Sequence, residues 1–426
     1  MALYPLTVFL SAFLLFLLQP VIAKQILPWF GGSAGVWTTC LFFFQFLLLC
    51  GYAYAHWSVR TLRPKPQVAL HIVLLLASLG SLPILAAAGW KPVGDEQPAL
   101  RILLLLFATV GLPYFMLTTT GPLIQAWYAR ITDSPYRLFA LSNFASLLGL
   151  LCYPFVLEPR ITTQQQAWLW SGGHVTFVAL CILTALYSLR HGRLAGGVTE
   201  TPMTAERPPT WSRRLNWILL SAMGSLMLLA TTNHMTQNIA SIPLLWILPL
   251  ALYLLTFILC FEGRGWYRRY LFFVPVLVAL AAMVYVNGDV TLLLDLKVAL
   301  PTFAAGLFAV CMFCHGELAT LKPAPKYLTG FYLMISLGGA LGSLLVSVVA
   351  PLLLPGDFEL QIGIIACALL VLWQFRREAV WVPAIAAFAF AGISYGIVTH
   401  GVDQVRSYHV MTRNFYGALH IMSTCT

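Results

Sequence analysis

Few residues of this chain are of the types that do chemistry, and the tightest group of them is Cys311, Cys314 and His315. Their spacing, C-x-x-C-H, is that of c-type haem attachment. Such haem is attached on the outer side of a membrane, whereas the charge pattern puts this motif at the cytoplasmic end of an apolar stretch. As a zinc site the motif supplies at most three ligands, without a nearby second pair. The sequence therefore predicts no metal site and no cofactor.

An imidazole and an acid stand close together at the same place, as His315 and Glu317. Ionisable side chains within a membrane are costly and often serve proton relays, and imidazole titrates near neutral pH. One interpretation of His315 and Glu317 is therefore a proton-coupling site near the end of that stretch.

Uncharged polar residues cluster at two further places. One group closes the seventh apolar stretch and precedes the eighth: Thr232, Asn233, His234, Gln237 and Trp246. The other closes the first stretch and opens the second: Gln19, Trp37, Thr38 and Gln45. Corresponding polar helix ends beside prolines indicate a transporter's substrate site, and the alternative is a short outer loop at headgroup depth. We expect the amide and imidazole side chains of these groups to face an internal cavity, because lipid offers them no hydrogen-bond partner.

The remaining candidates for a solute pathway are Thr119 in the fourth stretch, and Asn143 with Ser142 in the fifth. Threonine hydroxyls could equally bond back to the preceding helical turn and repair the backbone hydrogen bonds that Pro122 breaks. The sequence leaves both interpretations open.

All these residues lie on or beside stretches long enough to cross a bilayer core about 30 Å thick. Of the 426 residues, 60% are hydrophobic and 9% are charged, which cannot cover the surface of a soluble protein of this size. The predicted spans are 5–23, 36–55, 67–89, 101–128, 136–157, 165–189, 215–236, 242–261, 270–287, 297–315, 327–354, 359–375 and 379–398. The chain is predicted to be an all-α polytopic membrane protein with the lipid bilayer as its first partner.

The second half of the chain echoes the first. Residues 117–123 (LTTTGPL) precede residues 312–318 (MFCHGEL) by about 195 positions, and the next stretch of each half carries a stripe of small residues. Six spans separate the copies, an even number, so the halves share one orientation. Such parallel repeats are the plan of major facilitator transporters, which hold a solute near mid-membrane between their halves. The predicted fold is a major-facilitator-like bundle of two parallel six-helix repeats plus a thirteenth span.

The domain boundaries and the orientation follow from the loops. We predict an N-terminal repeat at 1–189, a cytoplasmic linker at 190–214, a C-terminal repeat at 215–375, an extra span at 376–398 and a tail at 399–426. Lys and Arg cluster in the even-numbered loops, which places the amino terminus in the cytoplasm and the tail outside an inner membrane. Because the net charge of +10 is explained by orientation, no nucleic-acid partner is expected.

Four long strings resemble the membrane region of fused major-facilitator/spermidine-synthase proteins. They are residues 13–56, 134–159, 231–259 and 314–343, the last reading CHGELATLKPAPKYLTGFYLMISLGGALGS. In that family a soluble domain similar to an aminopropyltransferase usually follows the membrane region. The tail (RNFYGALHI, 413–421) resembles the first strand of that domain, and the nucleoside-binding and catalytic parts cannot be placed in this chain. The resemblance implies a separate aminopropyltransferase-like domain as a partner, with no such activity in this polypeptide alone.

The leading prediction is a transporter-like bundle that binds or moves a small solute through a central cavity, with no catalytic residue in this chain. The alternative is a membrane anchor or partner of an aminopropyltransferase domain. The family name suggests a polyamine as solute, but no Asp or Glu lies in the middle of a predicted span to neutralise a polycation. An enzyme within the bundle is disfavoured because no carboxylate pair or metal cluster lies in one leaflet.

Overall fold

The structure is a computed structural model. It describes residues 2–31, 34–92, 97–129, 136–191, 208–239, 245–262, 265–354, 356–414 and 417–422. Most of the predicted linker, from 192 to 207, lies outside the described residues.

Six helices form the first half of the bundle. They are α1 (Leu3–Phe30), α2 (Ala34–Thr61), α3 (Pro64–Ser78), α4 (Pro98–Tyr128), α5 (Tyr136–Cys152) and α6 (Thr163–His191). A π-helical turn, Tyr153–Leu157, extends α5. Each helix overlaps one predicted span, because long apolar runs satisfy their backbone groups within the helix when lipid offers no partners.

The second half follows the same order with two short insertions. Its helices are α7 (Trp211–His234), α8 (Ile247–Glu262), α9 (Arg269–Gly288), the single turn α10 (Val290–Leu294), α11 (Leu296–Thr320), α12 (Leu328–Leu344), the short α13 (Ala350–Leu353) and α14 (Glu359–Phe375). π-Helical turns extend α7 through Ile239 and join α12 to α13.

Within the described residues, ten helices are long and apolar enough to cross a membrane, while α8 and α14 are shorter apolar helices. The third predicted span, 67–89, is not one continuous helix: α3 and a 3₁₀ turn end at Ser81, and a separate 3₁₀ turn, Ala88–Trp90, follows. The residues between them are not helical, because Pro83 has no N–H to donate and its ring excludes the helical conformation from the residue before it.

The packing partners of the helices reveal the repeat. α1 packs against α4, α5 and α6, and α7 packs against α11, α12 and α14. The halves meet where α2 packs against α12 and where α5 packs against α8. Because α8 is the counterpart of α2 and α12 is the counterpart of α5, these two contacts are equivalent. The bundle therefore consists of two parallel six-helix repeats.

The small-residue stripes lie where the closest helix pairs cross. A Cβ at Gly342 of α12 would collide with the backbone carbonyl of Ala222 in α7, and a Cβ at Gly149 of α5 would collide with that of Phe13 in α1. Only glycine allows backbones to approach this closely in the absence of a hydrophobic driving force between helices.

The thirteenth span, α15 (Trp381–Ser407), packs at the periphery against α14 and α9. It continues nine residues beyond the predicted end at 398. Two antiparallel strands follow it directly, β1 (Tyr408–Asn414) and β2 (Gly417–Met422), paired from Val410↔Ile421 to Asn414↔Gly417. The last helix thus extends to Ser407, into the predicted tail, and a hairpin follows it.

Candidate solute site between the halves

A cavity of about 140 Å³ lies between the two halves, in contact with α1, α2, α4 and α5 on one side and with α7, α8 and α12 on the other. Its lining is apolar with hydroxyl, phenol and amide groups interspersed, and none of the described residues that line it is charged. The polar lining residues are Ser11, Gln19, Gln45, Tyr52, Tyr114, Thr118, Ser142, Asn143, Ser146, Ser221, Ser225, Tyr253, Ser336 and Ser343.

Part of this polar lining is committed to holding the helices together. Ser11 Oγ donates to the carbonyl of Leu117 at 2.9 Å, which joins α1 to α4. Ser221 Oγ donates to the carbonyl of Ile335 at 2.6 Å, which joins α7 to α12. These hydroxyls have no spare proton for a solute, because each has donated its only one.

Two further pairs link lining residues side chain to side chain. Gln19 Nε2 donates to Tyr114 Oη at 3.4 Å, and the Ser225 and Tyr253 hydroxyls lie 3.2 Å apart. Each pair keeps unused lone pairs or amide protons, so it can bond a solute without breaking its own contact.

Five other polar lining residues have unengaged side chains. Gln45, Ser142 and Ser146 make no side-chain hydrogen bond to the described part of the chain, and the hydroxyls of Ser336 and Ser343 are buried without one. Burying a hydroxyl without a partner costs about 1–3 kcal/mol. Such groups are satisfied when a solute or water occupies the cavity.

One end of the interface between the halves is covered by a pair of indoles. Trp37 of α2 and Trp246, immediately before α8, have ring centroids 4.6 Å apart at an interplanar angle of 35°. Trp246 is buried and Trp37 is half-buried. The two residues come from opposite halves, so the contact joins the halves at the end where α2 and α8 begin.

The opposite end is closed by an aromatic and hydrogen-bonded layer. Phe139 of α5 lines the cavity and stacks on Tyr332 of α12 with centroids 5.0 Å apart. Tyr332 Oη donates to Gln125 of α4 at 2.7 Å. His56 Nδ1 lies 2.9 Å from the Thr329 hydroxyl. All these contacts cross from one half to the other.

The structure distributes the sequence-predicted residues over several environments. Gln19, Gln45 and Asn143 line the cavity. Asn143 Nδ2 donates to the carbonyl of Phe139 at 2.9 Å, which leaves its oxygen as an acceptor. Trp37 and Trp246 form the indole pair and lie outside the lining.

The three threonine candidates bond back to their own helices. Thr38 donates to the carbonyl of Gly35 at 3.1 Å, Thr119 to that of Met116 at 2.8 Å and Thr232 to that of Leu228 at 2.6 Å. None of the three lines the cavity. The back-bonding interpretation therefore describes their geometry, since these bonds satisfy the hydroxyl within the helix.

The polar end of α7 differs from the expectation of a cavity-facing cluster. Asn233, His234 and Gln237 lie beyond the cavity lining, which on α7 ends at Leu229. The ring of His234 is buried 4.6 Å from that of Phe303 in α11. Asn233 follows Leu229 by one helical turn, so the polar cluster begins just where the cavity ends.

His315 lies behind the cavity wall. Its Nδ1 is 2.8 Å from the Thr256 hydroxyl, which itself donates to the carbonyl of Tyr253 at 2.8 Å. Since that proton is already used, the hydroxyl accepts from His315 Nδ1–H, and Nε2 is the unprotonated nitrogen of the neutral ring. Nε2 has no hydrogen-bond partner among the described residues and faces Gly224. The ring stacks on the cavity residue Phe257 with centroids 3.6 Å apart.

Glu317 has separate partners. Tyr267 Oη donates to its carboxylate at 2.7 Å, and Arg269 Nε lies 3.2 Å from the same oxygen. Arg269 also pairs with Glu378 at 3.0 Å and donates to the carbonyl of Gln374 at 2.8 Å. Burial and the Glu317 carboxylate raise the pKa of Tyr267, so this phenol keeps its proton. The carboxylate thus ties α11 to the start of α9 and the end of α14.

The cysteines of the C-x-x-C-H motif are buried within α11. In the part of the chain that the structure describes, no three His, Cys, Asp or Glu side chains are grouped so as to hold a metal ion.

The polar lining residues that the sequence did not single out are mainly serines. Ser221 and Ser225 of α7 are one helical turn apart, and Ser336 and Ser343 of α12 are two turns apart. This spacing places each pair on one helix face, and it is the feature of the sequence from which these lining residues could have been predicted. Ser336 lies within the small-residue stripe of α12. In the sequence, a serine at such a position cannot be distinguished from a small residue that only allows close helix packing.

Comparison with known proteins bears on the fold alone. No family model matches the chain, and no curated protein matches it. Among solved structures, the proton:xylose symporter XylE of the major facilitator superfamily, bound to 6-bromo-6-deoxy-D-glucose, aligns with a TM-score of 0.56 and 13% identity over 88% of this chain and 95% of that chain. The inward open xylose transporter XylE from E. coli aligns with a TM-score of 0.54 and 11% identity over 88% and 96%. The chain is therefore a multi-pass membrane protein with the major facilitator fold.

Proposed function

We propose that this protein is a transporter that binds a small solute in the cavity between its halves and carries it across the membrane. The observation that supports the proposal most directly is the uncharged cavity with interspersed polar groups, to which both halves contribute side chains. A site at the interface of two parallel repeats is exposed to one side or the other as the halves rock.

The contacts that close each end are suited to such rocking. The indole pair of Trp37 and Trp246 closes one end, and the Tyr332–Gln125 hydrogen bond helps to close the other. Each is a contact between halves that can break while the other holds. Opening at one end then requires separation of a few side chains, while the packing within each half persists.

The proposed orientation puts the amino terminus in the cytoplasm of a cell with an inner membrane and the tail outside. The Lys and Arg residues of the even-numbered loops support it. In this orientation the indole pair lies at the outer end of the cavity and the Phe139 layer at the cytoplasmic end.

Proton coupling is assigned in this proposal to His315 rather than to the pair of His315 and Glu317. The free Nε2 of His315 lies behind the wall that Phe257 and Tyr253 form, whereas Glu317 is engaged with Arg269. A proton reaching Nε2 creates a buried cation beside the site, and such a cation is stabilised only if the wall opens to water. Proton uptake and opening are thereby coupled.

Cysteine accessibility tests the proposal without knowledge of the solute. In a background whose native cysteines are replaced, Ser336→Cys on the cavity face of α12 should react with a membrane-impermeant thiol reagent from both sides of the membrane. Val278→Cys is the matched control, because Val278 is a 61% exposed residue of α9 on the outside of the bundle. If Ser336→Cys reacts from neither side of the membrane in folded protein, the transport proposal is refuted.

A second candidate function is a membrane module for an aminopropyltransferase-like domain. The observation that favours it is the β-hairpin that directly follows α15 and overlaps the segment 413–421, which resembles the first strand of such a domain. The structure divides that segment between the end of β1 and β2, where the resemblance implies a single strand. A lone two-stranded hairpin is marginally stable in water and gains stability from further strands. The purified chain should make no spermidine from putrescine and decarboxylated S-adenosylmethionine, and turnover would refute the assignment of catalysis to a separate domain.

A further inference from the structure

The unengaged polar groups of the cavity define what the solute must offer. Gln45 on α2 and Ser146 on α5 belong to the first half, and Ser336 and Ser343 on α12 belong to the second. Hydroxyl and amide groups both donate and accept hydrogen bonds. The complementary solute therefore carries groups that also do both, presented on two sides.

The absence of charge from the described lining excludes ionic solutes as good ligands. A cation or anion transferred from water into this cavity would lose its hydration without gaining a counterion, and attraction to neutral dipoles does not restore that loss. Glu317 cannot serve as a counterion, because its carboxylate is engaged with Arg269 and Tyr267 away from the lining.

One position on α12 brings groups of both halves to a single point. A Cβ on Gly339 would lie 3.4 Å from Gln45 Oε1 and 3.3 Å from Ser225 Oγ. Gly339 differs in this from its neighbours Gly338 and Gly342, where a Cβ would collide with the backbone of α7. Because Gly339 has no side chain, there is space beside these two polar groups. At Gly338 and Gly342 the corresponding space is taken by the backbone of α7.

The volume limits the size of the solute. At about 140 Å³ the cavity is smaller than the roughly 300–1,000 Å³ of typical drug-sized pockets. Aromatic walls at Phe139 and Phe257 offer apolar contact beside the polar groups. These features together suit a compact molecule with a carbon skeleton and several polar substituents.

We infer that the site selects a small uncharged solute bearing hydroxyl or amide groups, and that it excludes polyamines and carboxylates. The inference rests on the proposed function, since it names the solute class of the same cavity. Gln45 and Ser336 hold the solute from opposite halves, and the space at Gly339 admits it between Gln45 and Ser225.

The experiment measures the thermal unfolding of the purified full chain in detergent against defined compounds. The neutral arms are glycerol, erythritol, myo-inositol and acetamide, and the charged arms are putrescine, spermidine and succinate. We expect a concentration-dependent rise in unfolding temperature with at least one neutral compound and with none of the charged ones. Stabilisation by a charged compound, or by no neutral compound, overturns the inference.

Variants locate the binding. Gln45→Leu and Ser336→Ala should each weaken binding. The compound concentration that gives half of the maximal rise in unfolding temperature should increase by about five- to tenfold, as expected for loss of one or two hydrogen bonds. Gly339→Ala should weaken it at least as much, whereas Gly121→Ala, whose added methyl group meets nothing within 4 Å although it lines the cavity, should have a smaller effect. Gly392→Ala in α15 controls for insertion and folding. If Gly339→Ala and Gly392→Ala change binding equally, the solute does not bind in this cavity.

The two proposals fail in different ways. If the solute class is wrong but transport is right, Ser336→Cys still reacts from both sides and a charged compound protects it. If transport itself is wrong, Ser336→Cys remains unreactive whatever compound is present.

Discussion

The two halves of the bundle surround the cavity with different sets of helices: among the described residues, four helices of the first half line it, and three of the second. In the first half α4 reaches the cavity with Thr118 and Gly121. In the second half the corresponding segment of α11 does not line it, and His315 lies behind Tyr253 and Phe257 of α8. A duplicated fold has thus produced an unsymmetrical site, because a helix can keep its position while a neighbour covers its face.

The glycines at equivalent places show the same contrast. Gly121 of α4 stands in LTTTGPL and Gly316 of α11 in MFCHGEL. A Cβ on Gly121 meets nothing within 4 Å, whereas a Cβ on Gly316 would collide with the ring of Tyr267. The space that serves the cavity in one half is filled in the other, where the Tyr267 hydroxyl holds Glu317.

The ion pairs of the two halves should differ most in their effect on stability. Arg269→Ala removes the cation from Glu317, a carboxylate whose side chain is 6% exposed, and we expect a loss of about 2–4 kcal/mol in the free energy of unfolding. Lys24→Ala in the first half removes a pair with Glu158 whose side chains are 40% and 29% exposed, and it should cost less than about 1 kcal/mol. Denaturation in detergent measures both, and equal losses would contradict the comparison.

The equivalent glycines provide the next largest contrast. Gly316→Ala forces the Tyr267 ring to move and should destabilise the protein by about 1–3 kcal/mol. Gly121→Ala adds a methyl group in open space and should be neutral or stabilising by up to about 1 kcal/mol, as alanine is the better helix former. Unfolding temperatures of the two variants distinguish these cases. A destabilised Gly121→Ala variant would indicate that α4 is packed as tightly as α11.

The unsymmetrical placement of His315 predicts a functional contrast with a small effect on stability. Asparagine can donate to Thr256 from its amide and cannot take up a proton, so His315→Asn should alter the free energy of unfolding by only about 1 kcal/mol. Uptake of a stabilising solute into proteoliposomes should lose its dependence on an imposed proton gradient, whereas Thr120→Ala, at the equivalent position of α4, should retain it. Persistent gradient dependence in His315→Asn would remove this residue from coupling.

The sequence predicted the bundle well because its signals are local. Apolar length marked each helix, and small residues such as Gly149 and Gly342 marked the close crossings. The end of α3 was missed because apolar residues continue past Pro83, where the helix does not. For the site, Gln19 and Gln45 line the cavity while Thr232 does not, although all three are polar residues in apolar helices.

The difference lies in helix rotation, which the sequence does not specify. Adjacent residues point about 100° apart, so whether a serine faces a neighbouring helix or a cavity depends on how the helices are turned against one another. Ser221 and Ser336 illustrate this: the first bonds to the backbone of α12 and the second is unengaged, yet both lie among small residues. Composition alone treats them alike.

The smallest expected effect concerns the aromatic contact between Trp37, near the start of α2, and Trp246, immediately before α8. These two positions correspond in the two halves, and the ring centroids are 4.6 Å apart at an interplanar angle of 35°. A double-mutant cycle with Trp37→Ala and Trp246→Ala should give a coupling free energy of about 0.5–1.5 kcal/mol for unfolding, typical of an aromatic pair. In the proposed orientation the pair lies at the outer end of the cavity. If it closes that end, each single variant should raise the rate at which Ser336→Cys is labelled from outside, and the double variant should raise it little further. Labelling from the cytoplasmic side should not increase, because the Phe139–Tyr332 stack is intact in all three. Additive stability changes together with unchanged outside labelling would mean that the indoles touch without closing the cavity, and that another contact between the halves performs this function.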